Sequence, residues 1–176
     1  MIPDITDRLL IQAGAKLLDN TLDIIIKGGK GVGTVTRKGL QIEVGETAIN
    51  PEPKKMIRRN VEDVLKGCTG AEITIIVPEG GDVAKKTFNE RLGIVRGLSI
   101  IGTTEIVTPM SVDALKATIA CEIDIAVANG FSSLYLVPGK IGERFLKEVP
   151  WDVNAVMVSN YYDFVLGYLQ LKGVKK

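Results

Sequence analysis

Four cations, Lys54, Lys55, Arg58 and Arg59, lie within one short stretch whose apolar positions Ile57, Val61, Val64 and Leu65 repeat at helical spacing. The pattern predicts a helix from about Pro53 to Lys66, with proline near its start and Gly67 as its stop. The cations fill the first two turns while Glu62 and Asp63 come later, the reverse of what the helix dipole favours. Such a layout makes sense where an anionic ligand docks through charge-assisted hydrogen bonds. The preferred reading of the residues alone is still a solvated surface laced by the i,i+4 pairs Arg58–Glu62 and Arg59–Asp63, each worth a few tenths of a kcal/mol. Lys85, Lys86 and Arg91 form a second basic group, for which ordinary solvated surface is the preferred reading.

No histidine occurs in the 176 residues. The commonest general base and both the Ser-His and Cys-His nucleophiles are therefore absent. Cys68 and Cys121 stand far apart without C-x-x-C spacing, so no zinc set is expected, and both are read as reduced thiols in the core. Chemistry carried by this chain must then draw on a pre-activated substrate or a cofactor. Gly28-Gly29-Lys30-Gly31-Val32-Gly33 runs into Thr34-Val35-Thr36, so these glycines lie between two β-prone stretches with no helix to follow. Without aligned helix-terminal amides they make a poor pyrophosphate cradle, and a tight turn with close backbone approach is the expected use. A Rossmann-like nicotinamide enzyme ranks last among the readings on the same ground, since no strand-G-x-G-x-x-G-helix unit is present.

The elements that must position these residues follow from the rest of the chain. At 45% hydrophobic, the chain can bury a sizeable core, and its 22 basic against 21 acidic residues leave no global field for nucleic acid. No apolar run reaches the roughly 20 residues of a membrane helix and the first residues lack a signal-peptide layout, so a cytoplasmic location is the default. Arg8–Leu18 is ambiguous between helix and strand. Leu22–Ile26 reads as a strand, and with Asp19-Asn20 before it suggests a hairpin. Glu72–Val77 is a strand ended by Pro78, Asp82 caps a short helix through about Asn89, and Leu92–Ile101 favours strand and close-packed loop.

From residue 106 the rhythm becomes that of alternating helix and strand. Ser111 caps a long helix whose Val112, Leu115, Ile119, Ile123 and Val127 share a face, and Gly130 closes it. Ser133–Val137 is a strand leading through Pro138-Gly139 into a helix over about 140–148. Ala155–Val158 is another strand, and Asn160 caps a final helix with Phe164, Val165, Tyr168 and Leu169 on its inner stripe. This alternation argues for a parallel sheet with crossover helices. A helix cap at Gly173 with no further strand suggests a chain shorter than its architecture asks for.

At this point the chain resembles a known family, the cobalt-precorrin-5B (C1)-methyltransferases, or CbiD, of the oxygen-independent cobalamin pathway. The resemblance rests on PDIT at Pro3–Thr6, GGKGVGTVTRKGL at Gly28–Leu40, VGETAINPEPKKMI at Val44–Ile57 and AKKTFNERLGIVRGLSIIGTTEIVTPMS at Ala84–Ser111. It continues through PGKIGE at Pro138–Glu143 and VSNYYDFVLGYLQLKGVKK at Val158–Lys176. Relative to the family, this chain lacks the usual N-terminal segment with its G-x-T-T-G motif and the glycine-rich stretch past the final helix. Glu105 stands where a glycine is common, and Ser159 where the family often has glycine.

The resemblance implies an α+β first domain over 1–105, with Arg8–Leu18 as a strand, followed by a partial Rossmann-like α/β domain with a parallel sheet over 106–176. It implies methyl transfer from S-adenosylmethionine to C1 of cobalt-precorrin-5B, giving cobalt-precorrin-6A. A sulfonium donor needs neither metal nor imidazole, only alignment, which agrees with a chain free of histidine. The donor is expected at the carboxyl ends of second-domain strands, with Gly139, Gly142, Glu143 and Asn160 as candidates. Glu143 would hold ribose hydroxyls, unless it is only a first-turn acid and Gly139 only a turn. Thr103 and Thr104 are placed at the domain junction, with plain strand termination as the alternative. The carboxylate-ringed acceptor calls for cations around an apolar slot, and Lys54, Lys55, Arg58 and Arg59 are candidates for it. No catalytic residue and no metal ligand is assigned. Expected partners are the cobalt tetrapyrrole, with no nucleic acid or membrane, and either a homo-oligomer or a complementing chain. The competing reading is a non-catalytic corrinoid-binding or assembly module, or one part of a split enzyme.

Overall fold

The computed structural model describes residues 5–102, 111–131, 133–146 and 154–174. The chain forms two compact units, one of Met1–Arg37 with Gln41–Val107, the other of Lys38–Leu40 with Thr108–Lys176. In the first unit the elements are β1 (Gln12–Leu18), β2 (Ile24–Gly28), β3 (Thr34–Val35), α1 (Pro51–Leu65), β4 (Gly70–Ile76), α2 (Gly80–Ala84) and β5 (Ile94–Val95).

Arg8–Leu18 resolves as a strand, yet the expected hairpin with β2 does not form. β4 lies between the two, antiparallel to β1 and parallel to β2. The β1–β2 connection instead straps across the entry to β4. Thr69 Oγ1 donates to Leu18 O at 2.8 Å, and Ala71 N donates to Asp23 O at 3.0 Å. Only glycine fits beneath the strap, because a Cβ at Gly70 would stand 2.5 Å from Asp23 O. The β-branched run of β4 takes the central position because it buries Ala71, Ile73 and Ile75 on one face.

Pro51 starts α1, and Lys66 in the left-handed region ends it ahead of Gly67. Ile57, Val61 and Leu65 pack on the β4 core, but Val64 at the edge of the stripe is 78% exposed, so the predicted apolar face is narrower than its sequence pattern. The predicted helix from Asp82 shrinks to α2, with Glu79 rather than Asp82 at the N-cap.

The glycine motif makes the tight approach expected of it. A Cβ on Gly31 would run into the Val77 carbonyl, and Cβ atoms on Gly80 and Gly97 would run into Gly31. Val77 N donates to Lys30 O at 2.9 Å, Leu98 N to Gly31 O at 2.9 Å and Gly33 N to Leu98 O at 2.8 Å. The backbones therefore cross where side chains cannot stand between them. β3 pairs antiparallel with β5, and buried Asn89 ties the loop by donating to Gly97 O at 3.1 Å while accepting from Ser99 Oγ at 3.3 Å.

The second unit comprises α3 (Val112–Ala128), β6 (Leu134–Val137), α4 (Lys140–Leu146), β7 (Asn154–Met157) and α5 (Tyr162–Leu171). Ser111 Oγ accepts from Ala114 N at 3.3 Å, the cap its sequence position predicts. Ile119 and Ile123 of α3 pack with Val156, Val158 and Val165, and Phe164, Tyr168 and Leu169 close over them. Val112 and Leu115, expected on that face, lie in the first turn before the core begins and are 49% and 42% exposed. β6 and β7 pair in parallel with α4 between them in sequence, a strand–helix–strand unit. Asn129 Nδ2 donates to Lys38 O at 3.1 Å, fastening Lys38–Leu40 to α3.

Cys68 is exposed, which corrects its expected place in the core. Cys121 is half-buried, and burial first, then the Asp124 and Glu122 carboxylates, push its thiol above the usual range. No helix among the described residues is long and apolar enough to cross a membrane.

Candidate functional site

The carboxyl edge of β6 and β7 gathers the second-unit candidates. Parallel register sets Val137 opposite Met157, and Val158 N donates to Val137 O at 2.8 Å. The loops that follow, at Pro138-Gly139 and Ser159-Asn160, therefore emerge side by side. This is the end of an open α/β sheet where ligands ordinarily sit. A Cβ on Gly139 would meet nothing within 4 Å, so the space over this residue is open. Gly142 has a different use. A Cβ there would lie 3.1 Å from Val137 Cβ and 3.3 Å from Pro138 Cδ, so this glycine lets α4 approach β6 closely. Glu143 is half-buried in the first turn of α4, its amide donating to Gly139 O at 3.1 Å.

Asn160 does not cap α5. The N-cap is Tyr161, with no side-chain hydrogen bond to the helix, because Ser159 at φ 51° and the bond from Tyr161 N to Val158 O at 3.0 Å turn the chain one residue later than its sequence suggests. The Asn160 amide is exposed and has no partner among the described residues. Its two donors and one acceptor are thus free for a ligand at the edge that Gly139 leaves open.

In the first unit the basic residues of α1 separate into two kinds. Lys54 pairs with Glu46 at 3.2 Å, and Lys55 pairs with Glu52 one turn back. Arg58 and Arg59 are exposed, and among the described residues neither pairs with Glu62 or Asp63 as the i,i+4 reading required. Two guanidinium groups are left to bind carboxylates bidentately. Lys85 in the other basic group pairs with Asp82 at 2.8 Å, which raises its pKa, and is exposed. Thr103 and Thr104 lie outside the described residues. A Cβ on Gly102, just before them, would lie 3.2 Å from Pro53 Cγ, and Asn50 N donates to Ile100 O at 2.9 Å, so residues 100–102 run beside the start of α1.

One cluster was not apparent from the sequence. Tyr168 donates to Asp124 at 2.9 Å and Lys172 pairs with the same carboxylate at 2.8 Å. Burial, then the Asp124 bond, raises the Tyr168 pKa, and the Asp124 bond foremost raises that of Lys172. The spacing of Tyr168 and Lys172 at i,i+4 was the available signal, but nothing in the sequence pairs them with a residue of α3.

These features define a mixed α/β protein with a parallel strand pair whose carboxyl edge is open at Gly139, and with two arginines on another helix that have no ion-pair partner among the described residues. The chain belongs to the CbiD family, whose model matches residues 2–109. It is 46% identical over 98% of its length to the cobalt-precorrin-5B C(1)-methyltransferase of Methanocaldococcus jannaschii, of which it covers 48%. It is equally 46% identical over 98% of its length to the enzyme of the same name from Methanobrevibacter smithii, of which it covers 49%. The chain thus spans about half the length of the curated relatives it matches. The crystal structure of the cobalamin biosynthesis protein CbiD from Archaeoglobus fulgidus is similar at 24% identity and a TM-score of 0.45, covering 94% of this chain and 52% of that one.

Proposed function

We propose that this chain acts in S-adenosylmethionine-dependent methylation of cobalt-precorrin-5B at C1, a cytoplasmic step of anaerobic cobalamin biosynthesis. The observation that carries the reading is the 46% identity to the Methanocaldococcus jannaschii methyltransferase along nearly the whole of this chain. The open edge at Gly139 and the Asn160 amide, without a partner among the described residues, support it, because they suit a donor rich in hydroxyl and amine groups. In this reading the second unit is part of a Rossmann-like domain and 1–105 is an α+β domain.

S-adenosylmethionine supplies an activated methyl group, so the protein has only to bind, orient and exclude water. Asn160 and Glu143 hold the polar groups of the donor, and Gly139 leaves room for it. Gly142 serves indirectly, by seating α4 against β6. Arg58 and Arg59 take acceptor carboxylates. Lys54 and Lys55, partly neutralised by Glu46 and Glu52, contribute less. Thr103 and Thr104, outside the described residues, are retained as candidate donor contacts, with plain strand termination as the alternative.

Calorimetry of the full chain with S-adenosylmethionine and, separately, with cobyrinic acid as a stable corrinoid polycarboxylate tests this reading. Binding of both is expected, with Asn160→Ala weakening only the donor and a double Arg58→Ala, Arg59→Ala variant weakening only the corrinoid. Corrinoid binding without donor binding would favour a non-catalytic corrinoid module. Binding of neither would remove the proposal.

A further inference from the structure

We propose that Lys116 binds the carboxylate of the methyl donor over the same strand edge as Asn160, a pairing that rests on the donor reading proposed above. Lys116 belongs to α3, and the direction of that helix places it there. Gly130 N and Phe131 N donate back to Val127 O and Ala126 O, so the chain winds onto the helix end and leaves little length before β6 begins. The carboxyl end of α3 therefore lies at the amino end of β6, and the helix runs antiparallel to the two parallel strands. Glu122 Oε2 accepts from Met157 N at 3.4 Å, which sets Glu122 level with the last residue of β7. Lys116 comes six positions earlier in the same helix, about 9 Å farther along its axis. Helical side chains also tilt toward the helix start. Lys116 thus overhangs the carboxyl edge, on the side where Pro138-Gly139 and Ser159-Asn160 emerge.

The ammonium group is held at that edge yet left without a counter-ion. Lys116 Nζ lies 5.8 Å from the centre of the Tyr161 ring and 5.5 Å from that of Phe164. Tyr161 directly follows Asn160, so the lysine and the asparagine meet at one loop. The side chain is half-buried, and among the described residues it has neither an ion pair nor a hydrogen bond. Lys172 shows the contrast, because it too lies over an aromatic ring, that of Tyr168, but pairs with Asp124. Aromatic faces orient an ammonium without neutralising it, and three N–H donors remain for a ligand. S-adenosylmethionine carries one carboxylate, at its amino-acid end. Asn160 can bond neutral groups of the donor, and Lys116 supplies the positive charge that its carboxylate calls for.

Calorimetric titration of the full-length 176-residue chain with S-adenosylmethionine and with decarboxylated S-adenosylmethionine tests the pairing. The unsubstituted protein is compared with Lys116→Met and Lys116→Arg, and thermal melting is followed in parallel. Lys116→Met keeps an apolar stem over the rings, and should bind S-adenosylmethionine about ten-fold more weakly. Its affinity for the decarboxylated compound should stay within about two-fold of that of the unsubstituted chain, because the lost partner is the carboxylate. Lys116→Arg, which keeps the charge, should recover most of the S-adenosylmethionine affinity. Unchanged S-adenosylmethionine binding in Lys116→Met, or an equal loss for both compounds, would overturn the proposal and leave the donor reading standing; a lysine that only covers the rings gives the equal loss, with a lower melting temperature. Binding of neither compound by the unsubstituted chain would overturn the proposal and the donor reading together.

Discussion

Substituting alanine at Gly31 and, separately, at Gly45 isolates the cost of the backbone crossing. Both glycines have positive φ, 78° and 95°, so both alanines carry left-handed strain of about 1–2 kcal/mol, offset by roughly 0.4–1 kcal/mol from a stiffer unfolded chain. At Gly45 nothing lies within 4 Å of the new Cβ, and the net cost should stay near 1 kcal/mol. At Gly31 the Cβ overlaps the Val77 carbonyl and lies 3.1 Å from Gly80 N, so the strands must separate. Separation strains the Val77 N to Lys30 O and Leu98 N to Gly31 O bonds, each worth about 1 kcal/mol net. It also loosens Val77 and Leu98, 1% and 8% exposed. The total comes to about 4 kcal/mol, in the range reserved for severe core damage. Thermal melts followed by circular dichroism give the difference, which should be about 3 kcal/mol, and amide exchange at Val77 and Leu98 should quicken only in Gly31→Ala. Equal destabilisation by the two alanines would refute the close approach.

Ile123→Ala should destabilise by about 2–5 kcal/mol because the side chain is fully buried, whereas Val64→Ala, 78% exposed, should change stability by under about 0.5 kcal/mol; chemical denaturation of the two variants compares them. Tyr168 and Lys172 are both raised above ordinary values of 10.0 and 10.5, so their contributions are complete below about pH 10 and are lost as pH climbs through the folded values. Stability of the chain should therefore decline on the alkaline side, more shallowly in Asp124→Asn, and an identical decline in both would count against the cluster. Ellman's reagent should modify exposed Cys68 well before Cys121, whose thiol ionises late; equal rates would contradict the burial of Cys121.

Much of the second unit could be read from periodicity. The apolar stripes of α3 and α5 and the Ser111 cap are local features, and local features fix helices. The limits of the reading appear where partners are distant in sequence. Asp19-Asn20 is good turn chemistry, but whether β1 pairs with β2 or with β4 depends on the strap over Gly70, which no local pattern announces. Asn160 looked like a cap because its residue type and position fit one; a left-handed Ser159 moved the helix start by one residue and freed the side chain. Arg58 and Arg59 were legible as cations, yet that neither pairs with Glu62 or Asp63 among the described residues could be seen only in the structure, because an i,i+4 spacing permits an ion pair without requiring one. The glycine motif was read correctly as close approach, because six residues between β-prone runs leave no helix to bind phosphate.

Chemical-shift mapping of the isotopically labelled chain with S-adenosylmethionine tests donor binding at the carboxyl edge of β6 and β7 most directly. The amides of Gly139, Gly142, Glu143 and Asn160 should move together on titration while those of β1 and β4 stay fixed. Shifts confined to the first unit, or no shifts at saturating donor, would contradict it.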